Sequence, residues 1–124
     1  NYRAINLAFQ NTEALVRDTE CGLGVMNDIN RSGCTAVSRA DVSVQCDDGF
    51  DVGDWVDGRN LINAPAVNIR QIERCIIGEA EIGMGGTQEE GADLFPIYQI
   101  SSFNTDTDGA DGTAATAIDT IFKL

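Results

Sequence analysis

Apolar and small residues near the start of the chain recur at intervals of three and four positions. This stripe consists of Ile5, Ala8, Phe9, Thr12, Leu15, Val16 and Thr19. Such spacing is typical of one face of an α-helix. Because Cys21 and Gly22 follow the last periodic position, and glycine often follows a helix end, the pattern predicts a helix over Asn1–Glu20. No capping pattern precedes it, so we interpret this helix as the tail of a longer one.

The second half of the chain carries the alternation expected of β-strands. Strands are predicted in Val67–Ile77, Phe95–Phe103 and Ala115–Leu124, and the last of these alternates most regularly. Glycine-rich and aspartate-rich segments separate them: Gly83–Ala92 as a flexible loop and Asn104–Gly112 as a hairpin tip. One helix followed by an antiparallel sheet is an α+β arrangement, which we expect to fill residues 1–124 as a single domain.

Between the helix and the strands, the segment 21–66 is rich in glycine, asparagine, aspartate and serine. It contains only short apolar runs such as Val42–Val44. We therefore predict a long, variable loop region here. Within it, Asp47–Gly58 is predicted to be an acidic loop around Trp55, the only tryptophan. We expect this large ring to pack at the edge of the core.

Charge narrows the range of partners. The chain has 20 acidic and 8 basic residues, which gives a formal net charge of −12. This charge repels phosphate backbones and anionic lipid surfaces, so nucleic acid is not an expected partner. No basic residue lies between Arg74 and Lys123. The acidic C-terminal half either serves solubility or forms a face for a basic partner, and the sequence leaves both interpretations open.

Four cysteines, Cys21, Cys34, Cys46 and Cys75, occur in a chain that has no histidine. None of their spacings is the C-x-x-C of a zinc or redox site, so two disulfides formed in an oxidising compartment are the simplest interpretation. Four cysteines allow three pairings, and the sequence does not choose among them. We favour Cys21 with Cys34 and Cys46 with Cys75.

Catalytic chemistry has few candidate residues. Without histidine, the usual triads and histidine–metal sites cannot form. An acid–base pair would have to come from loop carboxylates, namely Asp47, Asp48, Asp51, Asp54 and Asp57. Solvated carboxylates keep pKa values near ~4 and are poor acids at neutral pH, so we do not expect an enzyme.

The predicted hairpin tip resembles the opening of a calcium-binding EF-hand loop. Oxygen ligands would come from Asn104, Asp106, Asp108 and Asp111. The twelfth position of such a loop, however, is Ala115 instead of glutamate, and no flanking helices are predicted. A weak calcium site is one interpretation, and a solvated Asp–Gly turn without any cofactor is the simpler one.

Two stretches resemble the PilX family of type IV pilus minor pilins. In Arg3–Arg17, the pattern Asn-x-Ala-Phe-Gln-x-x-Glu-Ala is similar to the segment that follows the membrane-spanning part of that family's helix. Tyr98-Gln-Ile-Ser-Ser and Asp111–Leu124 resemble its terminal hairpin. Gln99 stands where the family usually has a basic residue, and four cysteines are not typical of it.

This resemblance implies a pilin-like fold and a structural function. The chain would be the truncated, soluble part of a subunit held in the inner membrane by the apolar end of its helix, facing the periplasm, and later packed into an extracellular pilus. Its expected partners are the major pilin, minor pilins of the PilV, PilW and FimU or PilE types, and a PilY-type tip adhesin. Together they would form a priming complex that starts pilus assembly at the tip.

The expected contact surface is the helix face that carries Asn6, Gln10, Glu13 and Arg17. The simpler interpretation of Glu13 and Arg17, four residues apart, is an ordinary surface ion pair. Three rival functions remain: a minor pseudopilin of a type II secretion system, an extracytoplasmic adhesion or binding module, and an acid–base hydrolase. A calcium requirement would favour the pseudopilin.

Overall fold

A computed structural model describes residues 2–28, 30–46, 49–75, 95–110 and 112–124. Within these ranges, one long helix packs on a four-stranded sheet, so the α+β class is confirmed. The helices are α1 (Tyr2–Asn27) and α2 (Val52–Asp57), and the strands are β1 (Val42–Ser43), β2 (Ala66–Gln71), β3 (Ile97–Thr105) and β4 (Ala115–Lys123). Short 3₁₀ turns occupy Arg39–Asp41 and Leu61–Asn63.

Helix α1 runs past Cys21 and Gly22 to Asn27, so the predicted end at Glu20 is wrong. The buried stripe continues through Gly22 and Leu23, which is fully buried. The backbone N–H of Val37 donates to the Gly22 carbonyl at 3.1 Å, which brings the chain that follows α1 close against it. Gly22 therefore serves close packing inside the helix and does not terminate it.

The sheet is mixed, which corrects the prediction of a purely antiparallel one. Its strand order is β1-β2-β3-β4. Strands β2, β3 and β4 pair antiparallel, as expected, but β1 pairs parallel with β2 through Val42 opposite Ile69. A parallel pair needs a crossover connection, and the chain between β1 and β2, which contains α2, provides it. β1 has only two residues, too few for its apolar run to predict a strand.

The core lies between α1 and one face of the sheet. Its buried cluster consists of Leu23, Val42, Ile69, Tyr98 and Ile100. Aliphatic side chains dominate it, as a composition with only 6% aromatic residues predicts. The single ring in the cluster keeps its hydroxyl satisfied, because the side-chain amide of Asn27 donates to Tyr98 Oη at 2.9 Å.

Both disulfides form with the favoured pairing. Cys21 bonds Cys34, and Cys46 bonds Cys75, with Cα–Cα distances of 6.2 Å and 5.3 Å. The first ties the last turns of α1 to the chain after it. The second ties the chain after β1 to the chain after β2. Each bridge constrains the unfolded chain and adds roughly 2–4 kcal/mol of stability to a small domain.

The predicted acidic loop contains a helix and does not place its tryptophan in the core. Asp51 caps α2, because its Oδ2 accepts from the backbone N–H of Asp54 at 3.0 Å. Trp55 is half-buried, and within the described residues it is not among the side chains that pack on the core cluster. Instead, the guanidinium of Arg59 lies 5.2 Å from the centre of its ring.

Candidate assembly interface

One face of α1 brings together all four residues of the predicted contact surface. Asn6, Gln10, Glu13 and Arg17 are spaced by four, three and four residues, so they lie along a single side of the helix. Three of them are exposed and Glu13 is partly buried. Arg17 Nη2 lies 3.3 Å from Glu13 Oε2, and the pair is well exposed. A surface pair of this kind adds little stability, so both charges remain accessible to a partner.

Polar contacts on the opposite side of α1 hold this face at a fixed orientation. The Asn11 side-chain amide donates to the carbonyl of Thr105 at 2.9 Å, at the end of β3. Thr12 is fully buried, and its hydroxyl lies 2.7 Å from the Ala8 carbonyl and 3.1 Å from the Thr116 carbonyl in β4. These bonds link the helix to two neighbouring strands, so the outer face is carried by a rigid element.

A shallow groove of about 310 Å³ runs between α1 and β4. Its lining residues are Phe9, Glu13, Val16, Arg17, Glu20, Ile118 and Thr120. The groove therefore adjoins the predicted contact face and shares two of its residues. Sequence reasoning missed it, although both halves were visible: Phe9 and Val16 belong to the helical stripe, and Ile118 and Thr120 to the alternating positions of the last strand.

The N-terminal part of α1 exposes large apolar side chains. Their exposed fractions are 81% for Tyr2, 53% for Ile5, 39% for Leu7 and 46% for Phe9. Ile5 extends the buried stripe of Ala8 and Thr12 by one more turn, yet the described residues leave it uncovered. Tyr2, Ile5 and Phe9 lie on one side of the helix and Leu7 on another, and exposed apolar groups of this size are typical of sites that contact other proteins or a membrane.

The sheet face away from α1 carries a polar network that spans three strands. Arg70 Nη1 donates to Gln99 Oε1 at 2.9 Å, and the Gln99 amide donates to Asp119 at 3.2 Å. The Ser101 hydroxyl also donates to Asp119, at 2.7 Å. The guanidinium of Arg70 lies 5.2 Å from the ring centre of Phe50. Gln99, which stands where a basic residue was expected, is thus bonded to a basic side chain, Arg70 of the adjacent strand β2, and the sequence did not indicate this contact.

The candidate calcium residues that are described lie together at the β3–β4 hairpin, where they bond to protein groups. Asp106 Oδ1 accepts from the backbone N–H groups of Thr113 at 2.8 Å and Ala114 at 3.1 Å. These bonds hold the pKa of Asp106 below its usual value, and the bond from Ala114 has the largest effect. The Asn104 amide donates to Asp108 Oδ1 at 2.7 Å.

Asp111 lies outside the described residues. Among the residues that the structure does describe, no three acidic or cysteine side chains lie close enough together to hold a metal ion. Calcium binding at the hairpin stays a prediction.

Of the five carboxylates considered for acid–base catalysis, the structure describes three, and they form no cluster of three acidic side chains. Asp51 serves as the N-cap of α2, and Asp54 and Asp57 are exposed on that short helix. Asp47 and Asp48 lie outside the described residues, as does the predicted loop Gly83–Ala92.

Searches against protein-family models, curated proteins and solved structures find no match to this chain. Among the described helices, none combines the length and the apolar character needed to cross a lipid bilayer.

Proposed function

We propose that this chain is a structural subunit of the pilin type, a PilX-like minor pilin of a type IV pilus that acts in a tip or priming complex. Support comes from the residue pattern of Arg3–Arg17 and of the terminal hairpin. Further support comes from a long helix packed on a sheet and stapled by two disulfides, an arrangement suited to an extracytoplasmic subunit.

The observation that carries the proposal is the exposed apolar part of α1 formed by Tyr2, Ile5, Leu7 and Phe9. Full burial of one large apolar side chain contributes roughly 1.5–3 kcal/mol. Four such residues on about two helical turns provide enough free energy to drive helix packing against other subunits.

In this proposal the two parts of α1 have different roles. The apolar N-terminal part packs among the helices of neighbouring pilins in the assembled pilus. The face with Asn6, Gln10, Glu13 and Arg17 selects the neighbour through hydrogen bonds and charge, because polar complementarity provides specificity more than affinity. Companion minor pilins of the PilV, PilW and FimU or PilE types are the proposed neighbours.

The test is a calorimetric titration of this domain against the periplasmic domains of companion minor pilins from the same genome, with and without calcium. We expect saturable binding that Glu13→Lys weakens. Asp18→Lys is the matched control, since it makes the same change of charge at an exposed position about 140° round the helix from Glu13. Equal weakening by both variants would indicate a general charge effect and would contradict a specific face.

The rival functions give different outcomes in the same titration. Binding only to secretion-system pseudopilins, and only with calcium, would assign the chain to that machinery. Absence of binding to any companion, together with capture of a surface ligand by the isolated domain, would favour an adhesion module.

A further inference from the structure

Within the part of the chain that the structure describes, strand β4 presents an open edge. The sheet ends at this strand, whose nine residues pair with β3 on one side, and within the described ranges no element pairs with the other side. An open edge of this length offers a row of backbone donors and acceptors to another chain. Known peptide-binding domains use such edges by adding an extended segment as a further strand.

The register identifies which backbone groups face outward. The N–H of Leu124 donates to the Pro96 carbonyl and the N–H of Asp106 donates to the Ala114 carbonyl, both at 3.1 Å. In an antiparallel pair, alternate residues bond to the partner strand, so the even-numbered residues of β4 bond to β3. Ala117, Asp119 and Ile121 therefore direct their N–H and C=O groups away from the sheet.

The two sides of this edge differ in chemistry. On the helix side lies the groove between α1 and β4, with Phe9, Val16 and Ile118 in its lining. On the opposite side, Asp119 presents an exposed carboxylate at the middle of the strand. A strand added beside β4 would place alternate side chains over the groove and the others beside Asp119. Apolar residues fit the first set of positions. In the second set a basic residue fits beside Asp119, whereas Lys123 on the same side of β4 disfavours one beside it.

We propose that the β4 edge binds an extended segment of a partner protein in which apolar residues alternate with polar ones and a lysine or arginine lies beside Asp119. Charge selects this occupant: an opposite charge next to Asp119 is favourable, and the domain carries a net charge of −12. A second copy of this chain is disfavoured for the same reason, since β4 paired two-fold about its centre would set one Asp119 against another. The inference goes beyond the proposed pilin function, although the groove beside β4 shares Glu13 and Arg17 with the contact face of α1.

The first test needs no ligand. Hydrogen exchange measured by NMR should show fast exchange at the amides of Ala117, Asp119 and Ile121, and slow exchange at Ile118 and Thr120. Alternation of this kind supports an open edge. Slow exchange at all five amides would show that the edge is already paired and would overturn the proposal.

The second test uses a synthetic peptide of about nine residues in which valine alternates with lysine. Its two controls carry N-methyl groups on the lysines or on the valines, so that charge and composition are retained while a different edge is blocked in each. An antiparallel added strand turns the lysine N–H groups toward β4, and a parallel one turns the valine N–H groups. One methylated peptide should therefore bind like the parent, and the other should bind at least about tenfold more weakly. Equal binding by both would refute strand addition.

The matching protein variants are Ala117→Pro and Ala117→Thr. Proline removes only an outward N–H at this exposed position of an edge strand, whereas threonine retains it. We expect the first variant to weaken peptide binding about tenfold and the second to change it by less than about twofold. Equal peptide affinities of the two variants would contradict the proposal. It would also be contradicted if the parent protein sedimented as a dimer and Ala117→Pro sedimented as a monomer. Gln10→Ala changes the predicted contact face at a position outside the groove lining, so it should leave peptide binding within about twofold, which separates this edge from the proposed pilin contact.

Discussion

Gly22 lies inside α1 at the point where the returning chain touches the helix. A Cβ atom built there would lie 2.7 Å from the Thr35 carbonyl oxygen and 2.9 Å from Val37 Cγ2. These neighbours cannot move freely, because the Val37 N–H bonds to the Gly22 carbonyl and the Cys21–Cys34 disulfide ends next to Thr35. A methyl group at this position would therefore press on backbone that is held in place.

Two effects oppose each other in Gly22→Ala. Alanine is favoured over glycine inside a helix by about 0.8–1.0 kcal/mol. Forcing extra volume into a packed site costs about 1–3 kcal/mol, and contact with backbone belongs to the upper part of this range. We expect the free energy of unfolding to fall by about 1–2 kcal/mol, so that packing outweighs helix propensity.

Gly24→Ala is the matched control two positions along the same helix. The Cβ atom there would lie 2.9 Å from Arg31 Nη1 and 3.0 Å from its Cζ, the far end of a flexible side chain. The guanidinium can move aside at small cost, so the gain in helix propensity should dominate. We expect this variant to be more stable by about 0.5–1 kcal/mol.

Urea unfolding followed by circular dichroism, with both disulfides intact, measures these differences. Because the surface exposed on unfolding is nearly the same, the midpoints should shift in opposite directions with equal m-values. If Gly22→Ala were stabilised as much as Gly24→Ala, the segment around Thr35 would be free to yield, and the packing explanation of Gly22 would be wrong.

Two further predictions concern the helix–sheet contact and the hairpin. Thr12→Val removes the buried hydroxyl that lies 3.1 Å from the Thr116 carbonyl, and it should lower the free energy of unfolding in urea by about 1–2 kcal/mol. Thr19→Val is the control, because the Thr19 hydroxyl bonds within α1, and it should lower the free energy of unfolding by less. Equal losses in the two variants would contradict a contribution from the helix–sheet bond. The lowered pKa of Asp106 stabilises the fold above its unfolded pKa of about 3.9, and this contribution is lost as the pH falls through the folded pKa. Asp106→Asn should therefore unfold at a lower urea concentration than the parent at pH 7, and the difference between the two urea midpoints should narrow below about pH 4. A difference that stays constant with pH would show that the charge of Asp106 does not stabilise the fold.

The sequence predicts those elements whose pattern is long and regular. β4 alternates over nine residues, and its predicted range Ala115–Leu124 exceeds the observed strand by one residue. β3 overlaps its predicted range Phe95–Phe103, but the predicted strand Val67–Ile77 is too long, because β2 ends at Gln71 and residues 73–75 are helical. Burial on one face of a sheet imposes a period of two on the sequence, so strands of this kind carry their own signal.

Elements that depend on distant contacts are not visible in the sequence. A glycine at position 22 ordinarily indicates a helix end, but here contact with Thr35 and Val37 requires it within α1. β1 exists because Val42 pairs with Ile69, and two residues are too few to show a period. The contact face of α1 was predictable from helical spacing, whereas the groove beside it depends on how α1 lies across β4.

The two disulfides also determine how far the chain can be stretched. Their sequence separations are 13 and 29 residues, and at roughly 3.4 Å per residue they keep on the order of 140 Å of contour length folded into closed loops. A tensile load applied to the ends of the chain bypasses those loops and is borne by α1, by the bridges and by the pairing of β2, β3 and β4. With its bridges intact, this domain can therefore be extended by about a third less than the same chain without them.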